Sequence, residues 1–591
     1  MRAIRELSLA APLLLLGGAL FFGGGPGNGS IFWLGSLGLL TIVVLLAVEG
    51  VPGGALSLVP LLLLAAWMAV SISWSTLGDR SWDYADRALV YVVFAALGLW
   101  LAGRTRELAL GLCVLLGAVV VWSLAGKVLP FVYDYGMPGV TRLRSPVGLW
   151  NQLALLGAFA LPLALWRRRI DGTLLAYGWL VALLLTYSRG GILTAVAVLV
   201  AWFALTDERV ESAAVLVAAV VPAAVVVAIA FALPGITSDR QSTHVRWHDG
   251  IVFGVLLVAG AVAAVLLERL PRPQMTRGRT RALLAVLGVV LVAGVVFAVA
   301  HGGGSGAVGN SGSRLGSSSS NFRFAWWGQA WHGFTHHVLG GTGAGSFHLT
   351  NLLYRRGYLD FTIEPHNLPL QMLSELGLVG LAVFVVAIAA LLRGSLHRRG
   401  HELALALIFP AYLLHSFVDV DWDFVAVSAP AFLVAGALVG RPVERRATSF
   451  ATVAAAGIGL LVFVVLLLPW LGERWSNQAD QTLSTVRSAQ LAKRARSVDP
   501  LLVDPIIALA VAYDLHPQTA LGYYEEAIRR QPRNPAWYLL AGRFALRKGC
   551  PRLAYRYLEK FSELDHYAAP DKGPDDYRRA LRLVNSGVPT C

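Results

Sequence analysis

The sequence predicts an all-α bundle that crosses a membrane many times, with one large polar loop and a soluble helical tail. Three observations predict it. Of the 591 residues, 56% are hydrophobic and 14% charged, against about a quarter charged in soluble domains, and mean hydropathy is +0.62. Apolar runs near the roughly 20 residues that a bilayer span needs recur along the chain, about fifteen of them. Arginine clusters punctuate these runs so that, under simple alternation of the spans, every cluster falls on the same side.

Taken in order, the spans are expected over 7–22, 31–48, 54–73, 86–102, 107–125, 147–166, 173–188, 190–206, 211–233, 251–267, 282–300, 367–392, 402–419, 424–440 and 450–471, a count that resolves to roughly 12–15 helices. The first follows MRAIRE, but no small-residue cleavage site follows it, so it reads as an anchor. The clusters Arg2/Arg5, Arg104/Arg106, Arg167–Arg169, Arg209, Arg269–Arg281, Arg393–Arg399 and Arg441–Arg446 all fall on one side. By the positive-inside rule that side is cytoplasmic, which makes this a multi-pass cytoplasmic (inner) membrane protein with its N-terminus inside. The formal charge of +14 therefore reflects topology and not nucleic-acid binding, because a basic nucleic-acid domain does not thread its arginines between apolar 20-mers. The inner loops are short and only basic. Chemistry is thus expected outside, without ATP or nucleotide sugars.

The outer segments carry the polar constellations. DRSWDYADR (79–87) suits an interfacial amphipathic stretch. Arg142, Arg144 and Asn151 stand at the mouth of a helix, where anions are favoured. TYSRGG places Arg189 between two apolar runs, and an arginine near the membrane is a functional hypothesis by default. Residues 234–250 look polar and receive no role. The long loop begins as a Gly/Ser tract (301–320) and then turns aromatic, with Arg323 followed by His332, His336 and His337. The His332/His336 pair at i,i+4 could clip a metal. No carboxylate or cysteine adjoins it, so no metal site is assigned. His366 follows in EPHN, two residues after Glu364; a neutral imidazole there can take a proton from a hydroxyl. HSFVDVDWD places His415, Asp419 and Asp421 at the next outer helix end. After residue 472 the chain becomes soluble in composition. Ala520/Ala554, Tyr523/Tyr557 and Glu525/Glu559 repeat at a 34-residue period, which reads as tetratricopeptide-like helix pairs offering a face for a protein or glycan partner. Cys550 and Cys591 share an oxidising compartment there, where a disulfide closing the tail fits.

In this order, RLRSPVGLWNQLA (142–154), TYSRGG (186–191), Arg323 with Trp327, VLGGTGAGSF (338–347), PHNLPLQMLSELGLVG (365–380) and HSFVDVDWD (415–423) resemble the O-antigen ligase and O-antigen polymerase superfamily. These are membrane enzymes of the glycosyltransferase C type. The resemblance divides the chain into N-terminal spans (1–74), a membrane catalytic core (75–440, outer loop 301–366), a last span (441–472) and the helical tail (473–591). The span count exceeds the dozen or so typical of ligases.

The resemblance implies transfer of a glycan from a polyprenyl diphosphate carrier to an acceptor hydroxyl on a glycan, lipid or protein. It implies a metal-independent reaction without cofactor, in surface polysaccharide assembly. Arg189 and Arg323 would clamp the diphosphate with Arg142 as a third, and His366 would be the base. Glu364 could orient His366, an inference from spacing alone. Asn367, Asn151, His415 and Asp419 would support the site. Two other classes stay open: a lipid-linked glycan flippase or transporter, and a non-catalytic membrane scaffold for the tail. A transporter usually shows internal repeats and midplane polar residues; here the polar residues collect at one face. A scaffold would not need Arg189, Arg323 and His366 in family register.

Overall fold

The computed structural model describes residues 2–22, 24–132, 141–270, 278, 315, 319–569 and 571–586. The span expected over 282–300, most of the 301–320 tract and Cys591 lie outside them. Every other expected span coincides with helix, and the protein is an all-α polytopic membrane bundle. Six of the described helices are long and apolar enough to cross a bilayer: Asn28–Val48, Thr105–Val128, Arg209–Ala230, Thr243–Glu268, Leu368–Ser395 and Ser449–Gln481. Shorter apolar helices such as Ile170–Leu185 and Arg189–Leu205 accompany them.

The chain divides into two compact units. One comprises residues 1–60, 90–322 and 386–459, the other residues 61–89, 323–385 and 460–591.

In the first unit, the contacts sort the loops as the arginine pattern predicts. At one end Arg104 meets Glu6, Arg168 meets Glu208 and Arg399 meets Asp207. A two-stranded antiparallel ribbon joins Val51–Gly53 to Arg441–Arg445 within this group of arginine-rich loops. The segments expected on the opposite side instead bond to one another. Lys127 Nζ donates to the carbonyls of Thr141 and Ile236, and Thr141 N donates to Asp239 Oδ1 at 2.7 Å. The 234–250 stretch is thus a short helix, Pro234–Thr237, and the first turns of Thr243–Glu268, held by these bonds. Small residues let helices touch backbone to backbone: a Cβ on Gly436 would stand 1.9 Å from Ala95 O and one on Gly98 2.1 Å from Leu433 O, the close approach that membrane helices use in place of a hydrophobic driving force. The span expected over 402–419 is broken into Gly400–Ala406 and Ile408–Ser416. Pro410 explains the break, since it has no N–H for the Ala406 carbonyl.

The second unit holds the start of Gly78–Leu99, the loop helices Arg323–His336 and Phe347–Tyr354, the first half of Leu368–Leu392, and the tail. Leu368–Leu392 is interrupted at Gly377, whose φ of 67° and ψ of −166° no helix accommodates. The interruption would orphan backbone groups near the bilayer, where each costs several kcal/mol. The VLGGTG turn satisfies them. Thr342 N donates to Ser374 O, Gly343 N to Glu375 O, and Leu378 N to Val338 O. Glycine is required at this splice, because a Cβ on Gly377 would lie 2.2 Å from Leu339 O and one on Gly341 2.2 Å from Glu375 O.

Among its described residues the tail forms the helices Thr485–Val498, Asp504–Ala512, Pro517–Arg530, Pro535–Arg547, Pro551–Leu564 and Pro574–Asn585. Pro517–Arg530 and Pro551–Leu564 begin at the 34-residue spacing seen in the sequence, and Ala520 and Ala554 are both fully buried. Cys550 is disulfide-bonded; its expected partner Cys591 lies outside the described residues.

Candidate functional site

Arg189 and Arg323 are each the first residue of a helix, Arg189–Leu205 and Arg323–His336. A cation there opposes the helix dipole, whose positive end favours anions. Both positions follow a backbone reversal. Tyr187 has φ 53°, and Asn321 and Phe322 have φ 52° and 65°. His366 itself has φ 52°. Only seven non-glycine residues among those described have positive φ, and four of them sit on or just before these three family positions. Left-handed non-glycine residues store strain that the surrounding fold must impose. Sequence patterning alone does not reveal this concentration of left-handed backbone at the three positions.

In the first unit, the mouth of the Trp150–Arg167 helix is a buried polar network. Arg142 is 1% exposed; its guanidinium lies 4.1 Å from the Trp150 ring centroid and its Nε donates to Thr186 O at 2.8 Å. Its Nη2 reaches Asn151 Oδ1 at 3.5 Å. Asn151 Nδ2 donates to Asp419 Oδ2 at 2.5 Å, and Gln152 Nε2 to Asp421 Oδ1 at 3.2 Å. Asp421 receives His415 Nδ1 at 2.8 Å and Ser416 Oγ at 3.1 Å. The Nε2 edge of His415 faces Gly190, where a Cβ would come within 3.6 Å of it. The network thus joins RLRSPVGLWNQ, TYSRGG and HSFVDVDWD, and it fixes the turn that carries Arg189. Ser188 caps that helix by accepting from Gly191 N, and Arg189 Nη2 donates to Ser319 O at 2.7 Å.

In the second unit, His366 stacks on Trp326, ring centroids 4.8 Å apart and 23° from parallel. Asn367 is the cap of the following helix, its Oδ1 accepting from Leu370 N at 2.9 Å. The strand of chain leading to His366 is pinned from beneath. Trp326 Nε1 donates to Asp360 O, Gln329 Nε2 to Asp360 Oδ2, Asn351 Nδ2 to Gln329 Oε1, and Thr362 N to Asn351 Oδ1. Burial raises the Asp360 carboxyl above its usual range, against bonds from the backbone of Arg356 and from Gln329 and Trp326.

Glu364 is 5% exposed and central to a second cluster. Tyr84 OH donates to Oε1 at 2.5 Å, Arg80 Nη2 reaches the same oxygen at 3.3 Å, and Gln371 Nε2 donates to Oε2 at 2.6 Å. Glu375 completes it by accepting from Gly345 N at 2.9 Å and Phe347 N at 3.1 Å, a carboxylate at the start of the Phe347–Tyr354 helix. His348, on that helix, is pushed down to about 4 by burial and then by the nearby Arg80 charge, so it is neutral at pH 7.

Arg80 and Tyr84 were not among the residues the sequence pointed to. The 79–87 stretch, expected to lie at the membrane surface, forms the first turns of Gly78–Leu99 and buries Ser81, Tyr84, Asp86 and Arg87. The available signal was the density of ionisable residues leading into a span. The His332/His336 pair engages Tyr354 instead of forming a ligand set: the His332 ring stacks on it at 5.5 Å and His336 Nδ1 bonds to His332 O.

Residues 248–385 match the O-antigen ligase family, a stretch that contains Arg323, the glycine turn and His366. No curated protein matches the chain.

Proposed function

We propose that this protein is a membrane glycosyltransferase of the O-antigen ligase or polymerase type, working at the outer face of the cytoplasmic membrane. It moves a glycan from a polyprenyl diphosphate carrier to an acceptor hydroxyl. The observation that carries the reading is the coincidence of backbone strain with Arg189, Arg323 and His366, of which Arg323 and His366 lie within the stretch matching the O-antigen ligase family.

The acceptor O–H gives its proton to a ring nitrogen of His366. The acceptor oxygen then bonds to the anomeric carbon as the carbon–oxygen bond to the carrier breaks, and the electron pair leaves on the diphosphate oxygen. Attack in line with departure inverts the anomeric centre. Arg189 and Arg323 hold the charge that develops on the leaving group, each with a planar fork suited to phosphate oxygens and each beside helix-terminal amides. This supplies the counter-charge without a metal. Arg142, committed to Thr186 O beneath Trp150, serves by fixing the Arg189 turn, with Asn151, Asp419 and His415 behind it. Glu364 and Asn367 fix the backbone on either side of His366. The tail is read as a tetratricopeptide-like repeat scaffold for a partner.

A reconstituted assay with purified protein and lipid-linked glycan tests the reading. Wild type should transfer, and His366→Ala should retain carrier binding but lose turnover. Near-normal turnover in that variant would overturn the role of His366. Gene deletion separates the subtypes: single units retained on the surface mean a polymerase, and full-length chains stranded on carrier mean a ligase.

A further inference from the structure

A cleft of about 280 Å³ opens within the second unit. Its walls come from the Arg323–His336 and Phe347–Tyr354 helices, from Thr342 of the glycine turn, and from the tail, which contributes Arg533 and Leu564. The tail wall is fixed. Arg355, at the end of Phe347–Tyr354, forms a buried bidentate pair with Asp565, Nη2 lying 2.5 and 2.6 Å from the two carboxylate oxygens. Gln531 Nε2 also donates to Asp79 Oδ1 at 3.2 Å.

We propose that this cleft binds the saccharide chain of one of the two transferase substrates, a reading that rests on the function proposed above. Three features support it. The lining combines an aromatic ring, Tyr354, with imidazoles (His336, His337), hydroxyls (Thr76, Thr350) and the exposed guanidinium of Arg533, and the lining contains no carboxylate. Flat apolar rings beside mixed donors and acceptors suit a hydroxyl-rich ring, and the absence of acidic lining admits acidic sugars as well as neutral ones. The wall is tightly packed: Gly333 lets the Arg323–His336 helix close on Ser374 and Thr350, where a Cβ would meet Ser374 Oγ at 2.7 Å and Thr350 Cγ2 at 2.9 Å. The third feature is register. Trp326, stacked on His366, and Gly333, in the cleft wall, are seven residues apart on one helix. Two turns place them on the same face about 10 Å apart, so a chain lying in the cleft presents a neighbouring sugar toward His366. The volume is near the lower end of small-molecule pockets, about 300–1,000 Å³, which fits part of an oligosaccharide and not the whole.

The test uses full-length His366→Ala protein in detergent, so that binding is measured without turnover. Two probes are titrated calorimetrically: oligosaccharide freed by mild acid from the cell's lipid-linked pool, and oligosaccharide cleaved from its finished surface glycan. The first reports a donor groove and the second an acceptor groove. Arg533→Gln and Tyr354→Ala, each added to that background, should weaken the bound probe about tenfold, the loss of one charge-assisted bond or one ring contact. Unchanged affinity in both variants overturns the cleft assignment, as does the absence of binding of either probe to the parent. The two readings fail separately. If the otherwise wild-type enzyme transfers glycan with unchanged KM in both cleft variants, the cleft falls and the transferase stands. If both variants weaken binding yet the wild-type protein transfers nothing, the transferase falls and a saccharide site stands.

Discussion

Replacing Asp565 by asparagine should release the tail from the loop. The pair it forms with Arg355 is 8% and 6% exposed at the two side chains, so it belongs with buried ion pairs and not with surface pairs worth about 0–1 kcal/mol. Three contacts converge on the carboxylate, at 2.5, 2.6 and 2.9 Å. Asp565→Asn leaves the guanidinium buried opposite a neutral amide, with Tyr358 O accepting from Nη1 at 3.4 Å. Removing one member of such a pair costs about 3–5 kcal/mol, a shift of roughly 10²–10⁴-fold in the docked-to-released equilibrium. Thermal unfolding of the full chain should lose its tail transition first, and limited proteolysis should cut the tail faster. The double variant Arg355→Met/Asp565→Leu should regain most of the loss, because apolar replacement of a buried pair is often neutral. A single variant that melts and digests like wild type, within about 0.5 kcal/mol, would refute the claim that this pair holds the tail.

Other outcomes follow from the same geometry. His366→Ala should lower turnover by about 10²–10⁴-fold, the usual contribution of a general base, with carrier binding unchanged in an equilibrium assay. Gly377→Ala should cost at least the roughly 1–3 kcal/mol of a forced left-handed residue and more from the Leu339 O contact, read as a fall in melting temperature. His348 gives a pH signature: its folded pKa of about 4 lies below the ordinary 6.5, so its contribution is present above pH 6.5 and lost as pH falls toward 4. The size is on the order of 3 kcal/mol, and His348→Asn should flatten the stability profile between those values. Transfer should persist in EDTA, measured on the reconstituted enzyme, if the two arginines carry the leaving-group charge.

The span pattern was legible because apolar length and arginine parity are local properties, and both survive in the helix order and in the pairing of loops at each end of the first unit. The interruptions were less so. Pro410 lies inside the span expected to run unbroken over 402–419, and Gly377 sits in ELGLVG like any membrane glycine, its role depending on a turn some forty residues earlier. The Arg80–Tyr84–Glu364 cluster was missed for the same reason. Its members are about 280 residues apart, and no periodicity connects them. The family motifs pointed to Arg189, Arg323 and His366; what they could not express is that each occurs at a strained reversal. The 34-residue spacing in the tail was readable because repeats advertise themselves, whereas its attachment through Asp565 was not.

The glycine turn that fills the interrupted helix limits how the protein can move. Swinging residues 338–343 outward would strip the carbonyls of Ser374 and Glu375, both buried, of their donors, at about 1–3 kcal/mol apiece. The turn is therefore a splint and not a gate. Slow exchange of the Thr342 and Gly343 amides is the mark such immobility would leave.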